Sequence, residues 1–300
     1  MCPSDDHHNR VSIMAAKTTV AVLGLGTMGT GMATRLLGHR FDVTVYNRSP
    51  AAAEAMVQLG AKVAYTPREA AGGASVVLSM VADDDAARGV WLGPDGALAG
   101  VKAGSVLIES STISVDWVRE LSSAARDLGC ELLDAPVSGS KPQAAAGELV
   151  FLVGGDETAL EKARPLLAAM GRDVVHLGPS GSGALMKLIN NFVSGVQVVA
   201  LAEGINMIER SGLSREKAVA VLTNGAPGSP MVKVTAARML ASNFEPNFML
   251  KLMTKDLRYA QAQSGGMDVC AAAIRTFERA IDAGFGDKDF SAVVECLRKR

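Results

Sequence analysis

Three glycines, Gly24, Gly26 and Gly29, fall in the spacing Gly-x-Gly-x-x-Gly directly behind an apolar run, residues 19–23, and open a helix-like stretch, residues 28–37. Strand, tight turn and helix in that order form a cradle for a dinucleotide pyrophosphate. Gly24 permits the turn, Gly26 lets backbone approach the phosphates, and Gly29 lets the helix pack close to the strand. Through Leu25, Thr27 and Met28 the segment offers backbone N–H groups and the positive end of a helix dipole to negative charge. A second apolar run, residues 41–46, ends on Asn47-Arg48-Ser49. That is about 20 residues beyond the glycines, where the adenosine ribose is read. A carboxylate there would accept from a ribose 2′-hydroxyl and repel a 2′-phosphate, whereas a guanidinium would hold the phosphate. Arg48, flanked by Asn47 and Ser49, therefore predicts NADPH over NADH.

Lys187 and Asn191 form the other pair with chemical promise. Their spacing of one helical turn, on a helix expected over residues 184–211, puts both side chains on one face, where they can converge on one small ligand. Reducing a carbonyl takes a hydride at carbon and a proton at oxygen, and an ammonium can stabilise the developing alkoxide and supply that proton.

The elements that position these groups divide the chain. Up to residue 178, short β-rich runs alternate with helical stretches, the pattern of a mostly parallel, doubly wound α/β sheet of Rossmann type. Strands are expected at residues 62–64, 75–80, 105–109, 131–135, 149–153 and 173–176. Helices are expected at residues 50–59, 67–71, 115–128 and 157–170. Past the glycine-rich stretch 178–183 strand-like alternation stops, and helices are expected at residues 184–211, 214–223, 229–241, 249–263, 268–283 and 291–297. The chain accordingly reads as a leader without fixed structure (1–16), a dinucleotide-binding domain (17–179) and an all-helical substrate and oligomerisation domain (180–300).

Composition narrows the class. A chain of 300 residues with 48% hydrophobic and only 4% aromatic content builds a large aliphatic core, and its net charge of −1 gives no electrostatic reason to bind nucleic acid or an acidic membrane. Four cysteines, Cys2, Cys130, Cys270 and Cys296, show no metal-ligand spacing or disulfide framework, which implies no metal site and a reduced, cytoplasmic setting. The leader, with His7 and His8, lacks the pattern of a secretory signal. The apolar segment 192–208 is interrupted by polar residues and is too short to span a bilayer, so it reads as a buried helix.

Four motifs in order, Gly24 to Gly29, Asp134-Ala-Pro-Val-Ser138-Gly139, Gly183-Ala-Leu-Met-Lys187-Leu-Ile-Asn190-Asn191 and Lys255-Asp256, resemble those of the β-hydroxyacid dehydrogenase family over roughly residues 18–298. The resemblance implies that Lys187 is the catalytic acid and base and that Asn191 fixes the substrate's angle. It further implies that Ser138 and Gly139 hold a substrate carboxylate, Thr112 lines the nicotinamide, Phe248 walls the pocket, Lys255 reaches towards the cofactor, and Asp256 binds substrate or holds the lysines. Ser140 stands where the family usually has a second glycine. The activity implied is NADPH-dependent reduction of glyoxylate, succinic semialdehyde or tartronate semialdehyde, with NADH a weaker cofactor, in a homodimer or homotetramer. Oxidation of 3-hydroxyisobutyrate or another 3-hydroxy acid is the runner-up. A non-enzymatic dinucleotide-binding protein is the alternative of another class, disfavoured because Lys187 is retained.

Overall fold

The computed structural model describes residues 18–298. The leader at residues 1–16, with Cys2, His7 and His8, lies outside them. In chain order the first half runs β1 (Thr19–Leu23), α1 (Thr27–Gly38), β2 (Asp42–Tyr46), α2 (Pro50–Val57), β3 (Lys62–Val63), α3 (Pro67–Ala71), β4 (Val76–Ser79), α4 (Asp84–Trp91), β5 (Val106–Glu109), α5 (Val115–Asp127), β6 (Glu131–Asp134), β7 (Val137–Ser138), α6 (Lys141–Ala146), β8 (Leu149–Gly154), α7 (Glu157–Met170) and β9 (Gly171–Gly178). The helical half follows with α8 (Ser182–Ser211), α9 (Arg215–Asn224), α10 (Pro230–Leu240), α11 (Leu250–Ser264), α12 (Asp268–Ala280), a 3₁₀ segment (Phe290–Val294) and α13 (Glu295–Arg298).

Strands β3-β2-β1-β4-β5-β6 are hydrogen-bonded side by side, all parallel. β8 runs antiparallel to β6 and β7 and parallel to β9. The central strands β1, β4 and β5 are buried on both faces, and β1 shows why its sequence is a continuous apolar run. Val20 and Val22 point into one core with α1 and α7, while Ala21 and Leu23 point into the opposite core with Trp91 and Trp117 of α4 and α5. Because the crossovers lie on the faces, the carboxyl ends of β1, β4, β5 and β6 open along one edge, where sheets of this kind bind ligands.

The short elements α4, α6 and β7 are among those that escape the sequence reading. α4 starts on Asp83, whose carboxylate accepts from the Ala86 N–H, with Asp84 and Asp85 in the first turn. α6 starts on Ser140 and ends at Gly147, which has φ +74°. β7 has only two residues. The segment expected at residues 291–297 is 3₁₀ before it becomes α-helical.

α8 is the spine of the second half. At 30 residues it is by length and composition long and apolar enough to cross a membrane, which corrects the expectation from the shorter segment 192–208. It packs instead along α10, α11, α12 and the 3₁₀ segment, and its first turns rest on β8 and β9. Val198, Ala202 and Ile205 are fully buried there, with Leu257 and Phe277. At Gly195 the helices touch: a Cβ would meet the Leu257 methyls at 3.1 Å and the Met253 sulfur at 3.2 Å. That approach sets α11 against the face of α8 that carries Asn191.

Candidate active site

The glycine corner is made mostly of backbone. Gly24 adopts φ +99°, and a Cβ on it would stand 2.4 Å from the Met80 carbonyl oxygen at the end of β4. A Cβ on Gly29 would stand 2.0 Å from the Gly24 carbonyl oxygen, so only glycine lets α1 close on the turn. Gly26 differs, because nothing lies within 4 Å of the space its Cβ would take. No side chain caps α1, so its first N–H groups, from Thr27 and Met28 onward, stay open at an exposed loop. Leu25 is buried, and its N–H donates to the Asn47 carboxamide oxygen at 2.9 Å, while Asn47 donates to the Ser49 carbonyl at 3.0 Å. Asn47 thereby ties the glycine turn to the end of β2. Arg48 is exposed beside it and makes no ion pair or hydrogen bond with another described residue. An open space above glycine backbone, an uncapped helix start and an unengaged guanidinium together fit a dinucleotide.

A second group gathers where the two halves of the chain meet. Asn191 is 3% exposed and Asp256 1%. The Asn191 amide donates to Asp256 Oδ2 at 2.6 Å, and Asn190 donates to the Asn191 carboxamide oxygen at 3.0 Å. Lys255 Nζ lies 2.9 Å from Asp256 Oδ1, donates to the Thr112 carbonyl and sits 4.8 Å from the centre of the Tyr259 ring. Asp256 Oδ1 is buried without a hydrogen bond of good geometry, so the carboxylate keeps acceptor capacity. Half-buried Lys187 lies one helical turn before Asn191 on α8, within the influence of the Asp256 charge. Burial pushes the Lys187 pKa down, the Asp256 charge pulls it up, and the Lys255 charge adds to the depression.

The two groups are joined through strand ends. Val81, beside the Gly24 turn, donates to Ser111 Oγ at 2.7 Å, and Thr112 follows Ser111 and receives Lys255. Buried Glu109 steadies this loop by accepting from the Ser111 N–H at 2.8 Å and from the Trp91 indole at 2.7 Å, and burial raises its pKa. Across the same seam the Tyr259 hydroxyl accepts from the Asp84 N–H at 3.2 Å. The Asp84 carboxylate in turn accepts from Ser114 N–H at 2.9 Å and Ser114 Oγ at 2.5 Å. Burial pushes the Tyr259 phenol up to about 12, so it stays protonated.

Ser138 ends β7, and Gly139 follows with φ +120°. Ser140, the departure from the family pattern, has extended backbone at φ −134° that any residue adopts; its N–H and hydroxyl both donate to the Gln143 side chain. Gln143 also crowds Gly139, at 3.0 Å from where a Cβ would be. Phe248 sits in the segment just before α11. Its ring packs on Phe290, with centroids 5.8 Å apart, and its N–H donates to buried Asp289, so it belongs to the core rim of the helical half and shares no hydrogen bond or ring contact with the Lys187 group.

The residues given no role from sequence are the buried carboxylates Glu109 and Asp134 and the half-buried pair Asp84 and Tyr259. Of these only Asp134 lay in a motif, and each works through a contact distant in the chain.

A parallel sheet with a dinucleotide cradle, and an amine set against its ligand edge, define an NAD(P)-dependent dehydrogenase acting on hydroxyl groups. Two family models match: the NAD-binding domain of 6-phosphogluconate dehydrogenase over residues 19–178, and the NAD-binding domain of NADP-dependent 3-hydroxyisobutyrate dehydrogenase over residues 181–297. The chain is 37% identical to glyoxylate/succinic semialdehyde reductase 2, chloroplastic, of Arabidopsis thaliana, across 93% of this chain and 79% of that protein. It is 36% identical to the NAD-dependent L-serine dehydrogenase of Pseudomonas aeruginosa, across 91% and 96%. The solved 3-hydroxyisobutyrate dehydrogenase of Mycobacterium tuberculosis with L-serine superposes with a TM-score of 0.86 at 35% identity, covering 94% of this chain and 99% of that one. The chain belongs to the β-hydroxyacid dehydrogenase family.

Proposed function

We propose that this enzyme reduces a short carboxylated aldehyde (glyoxylate, succinic semialdehyde or tartronate semialdehyde) to the hydroxy acid, with NADPH as the preferred cofactor and Lys187 as the proton donor. One observation carries the reading: at the seam beside the strand ends Lys187 stands one helical turn before Asn191, whose buried amide is held at 2.6 Å by the buried Asp256 carboxylate, and that charge opposes the depression of the Lys187 pKa by burial. When bound, the nicotinamide supplies the hydride. Lys187 gives its proton to the carbonyl oxygen and, as an ammonium, stabilises the charge that develops there. Asn191, oriented by Asn190 and Asp256, has a second amide hydrogen to offer the same oxygen. Ser138 and the Gly139 backbone hold the substrate carboxylate, Thr112 and Lys255 border the cofactor, and Phe248 walls the far end of the pocket. Arg48, without a partner among the described residues, supports a 2′-phosphate; the name of the Pseudomonas relative specifies NAD, so cofactor preference is decided by measurement.

The reverse reaction on a 3-hydroxy acid is the second reading, favoured by the relative named for L-serine and the related structure holding it. The same amine, once neutral, is then the base. A reduced cytoplasmic setting accords with free Cys130, Cys270 and Cys296. A homodimer or homotetramer accords with the outward Leu185, Ile189, Val193 and Met207 on α8, between 38% and 72% exposed. Steady-state rates over these aldehydes and over L-serine and 3-hydroxyisobutyrate, with both cofactors, test the proposal. The expected result is highest kcat/KM for an aldehyde with NADPH. Highest kcat/KM for a hydroxy acid with NAD would overturn it.

A further inference from the structure

Asp134 ends β6, the strand whose next turn of chain delivers Ser138 and Gly139. Its side chain is 1% exposed and forms no ion pair among the described residues. Instead it reaches across to the start of α8: Oδ1 accepts from the Gly181 N–H at 2.8 Å and Oδ2 from the Ala184 N–H at 2.8 Å. Those are open donors of a helix N-terminus, and Lys187 lies one turn beyond Ala184. The surroundings are built for this carboxylate. A Cβ on Gly154 would stand 2.6 Å from Oδ1, and one on Gly183 would stand 3.0 Å from Oδ2 and 2.2 Å from the Leu152 carbonyl oxygen. A side chain at Gly154 would press first on the carboxylate, and one at Gly183 would collide with the Leu152 and Asp134 backbone as well.

We propose that Asp134 is a positioning residue that fixes the distance between the Ser138–Gly139 donors and the Lys187 amine, and so sets the length of substrate the enzyme turns over best. One rigid carboxylate belongs to the strand that leads into the carboxylate-holding loop and grips the helix that carries the proton donor. The substrate must span that gap, because its carboxylate and its reacting carbonyl are held at opposite ends of it. Releasing the grip lets the first turn of α8 drift, and small displacements at a reacting centre cost disproportionately in rate. The proposal rests on the roles given above to Lys187, Ser138 and Gly139.

The test is the ratio of kcat/KM for succinic semialdehyde to that for the shorter glyoxylate, measured for wild type, Asp134→Asn and Gly154→Ala. Asparagine keeps the size but turns an amide N–H₂ towards a backbone N–H, so one of the two grips is lost. A ratio cancels any loss of folded enzyme. The expected result is a ratio that moves towards unity by about tenfold or more in both variants, with kcat falling more than KM rises. Hydrogen exchange at residues 181–187 is expected to speed up alongside. Both rates falling by one common factor, with the ratio unchanged within about twofold, would mean that Asp134 only stabilises the fold and would overturn the proposal alone. A wild-type enzyme that reduces neither aldehyde would overturn the functional reading, and the proposal with it.

Discussion

The glycine corner and the amine corner solve different physical problems. The first must present N–H groups to a charged, mobile ligand, and it does so with backbone alone: strand, turn and uncapped helix within residues 19–38. The second must hold an amine partly out of water yet ready to give up a proton, and backbone cannot do that. It needs Asp256 from α11, Lys255 beside it, Asn191 from α8 and the Thr112 carbonyl from the loop after β5. A cradle can therefore be local, whereas a tuned proton donor is assembled from distant segments whose closeness depends on the fold.

Four substitutions probe that contrast, the largest effect first. Asp256→Asn removes the charge that raises the Lys187 pKa, so the amine loses its proton at lower pH. Reduction needs the ammonium, and its rate falls as pH rises through that pKa; the descending limb of the profile should shift to lower pH, with about a hundredfold loss of kcat. An unshifted limb would separate Asp256 from the amine. Arg48→Glu should lower the ratio of NADPH to NADH efficiency by about thirtyfold, the equivalent of roughly 2 kcal/mol of charge-assisted hydrogen bonding. Gly26→Ala should bind dinucleotide at least about tenfold more weakly by fluorescence titration. Its melting curve should stay close to wild type, because its Cβ meets no protein atom within 4 Å. A melting loss as large as that of Gly29→Ala would show that the corner is not open as described. Tyr259→Phe deletes one acceptor at the seam, the partner of the Asp84 N–H, and should cost about 1 kcal/mol in denaturant unfolding.

How much of this was legible in the sequence follows the same divide. The β1–α1 cradle and the α8 spine were readable because glycine spacing and long apolar periodicity are local signals. Helices at Pro67–Ala71 and Glu157–Met170 and the break after Gly178 were readable for the same reason. α4 and α6 were passed over although both carry start signals, Asp83 with acidic followers and Ser140 with Gln143, because runs this short offer little periodicity. Asp134 sat inside a quoted motif without a role. Its partners are 47 and 50 residues away, and nothing in strand spacing reveals that a carboxylate will face a helix start. Phe248 could be assigned to a pocket only by resemblance, and the structure places its ring against Phe290.

Lys187→Ala, measured with NADPH saturation verified by fluorescence titration, tests the central claim most directly. The account predicts that kcat for aldehyde reduction falls by about a thousandfold while NADPH affinity stays within about twofold of wild type, since the cradle lies on other elements. Near-wild-type turnover in that variant would contradict it, because the proton would then come from another group.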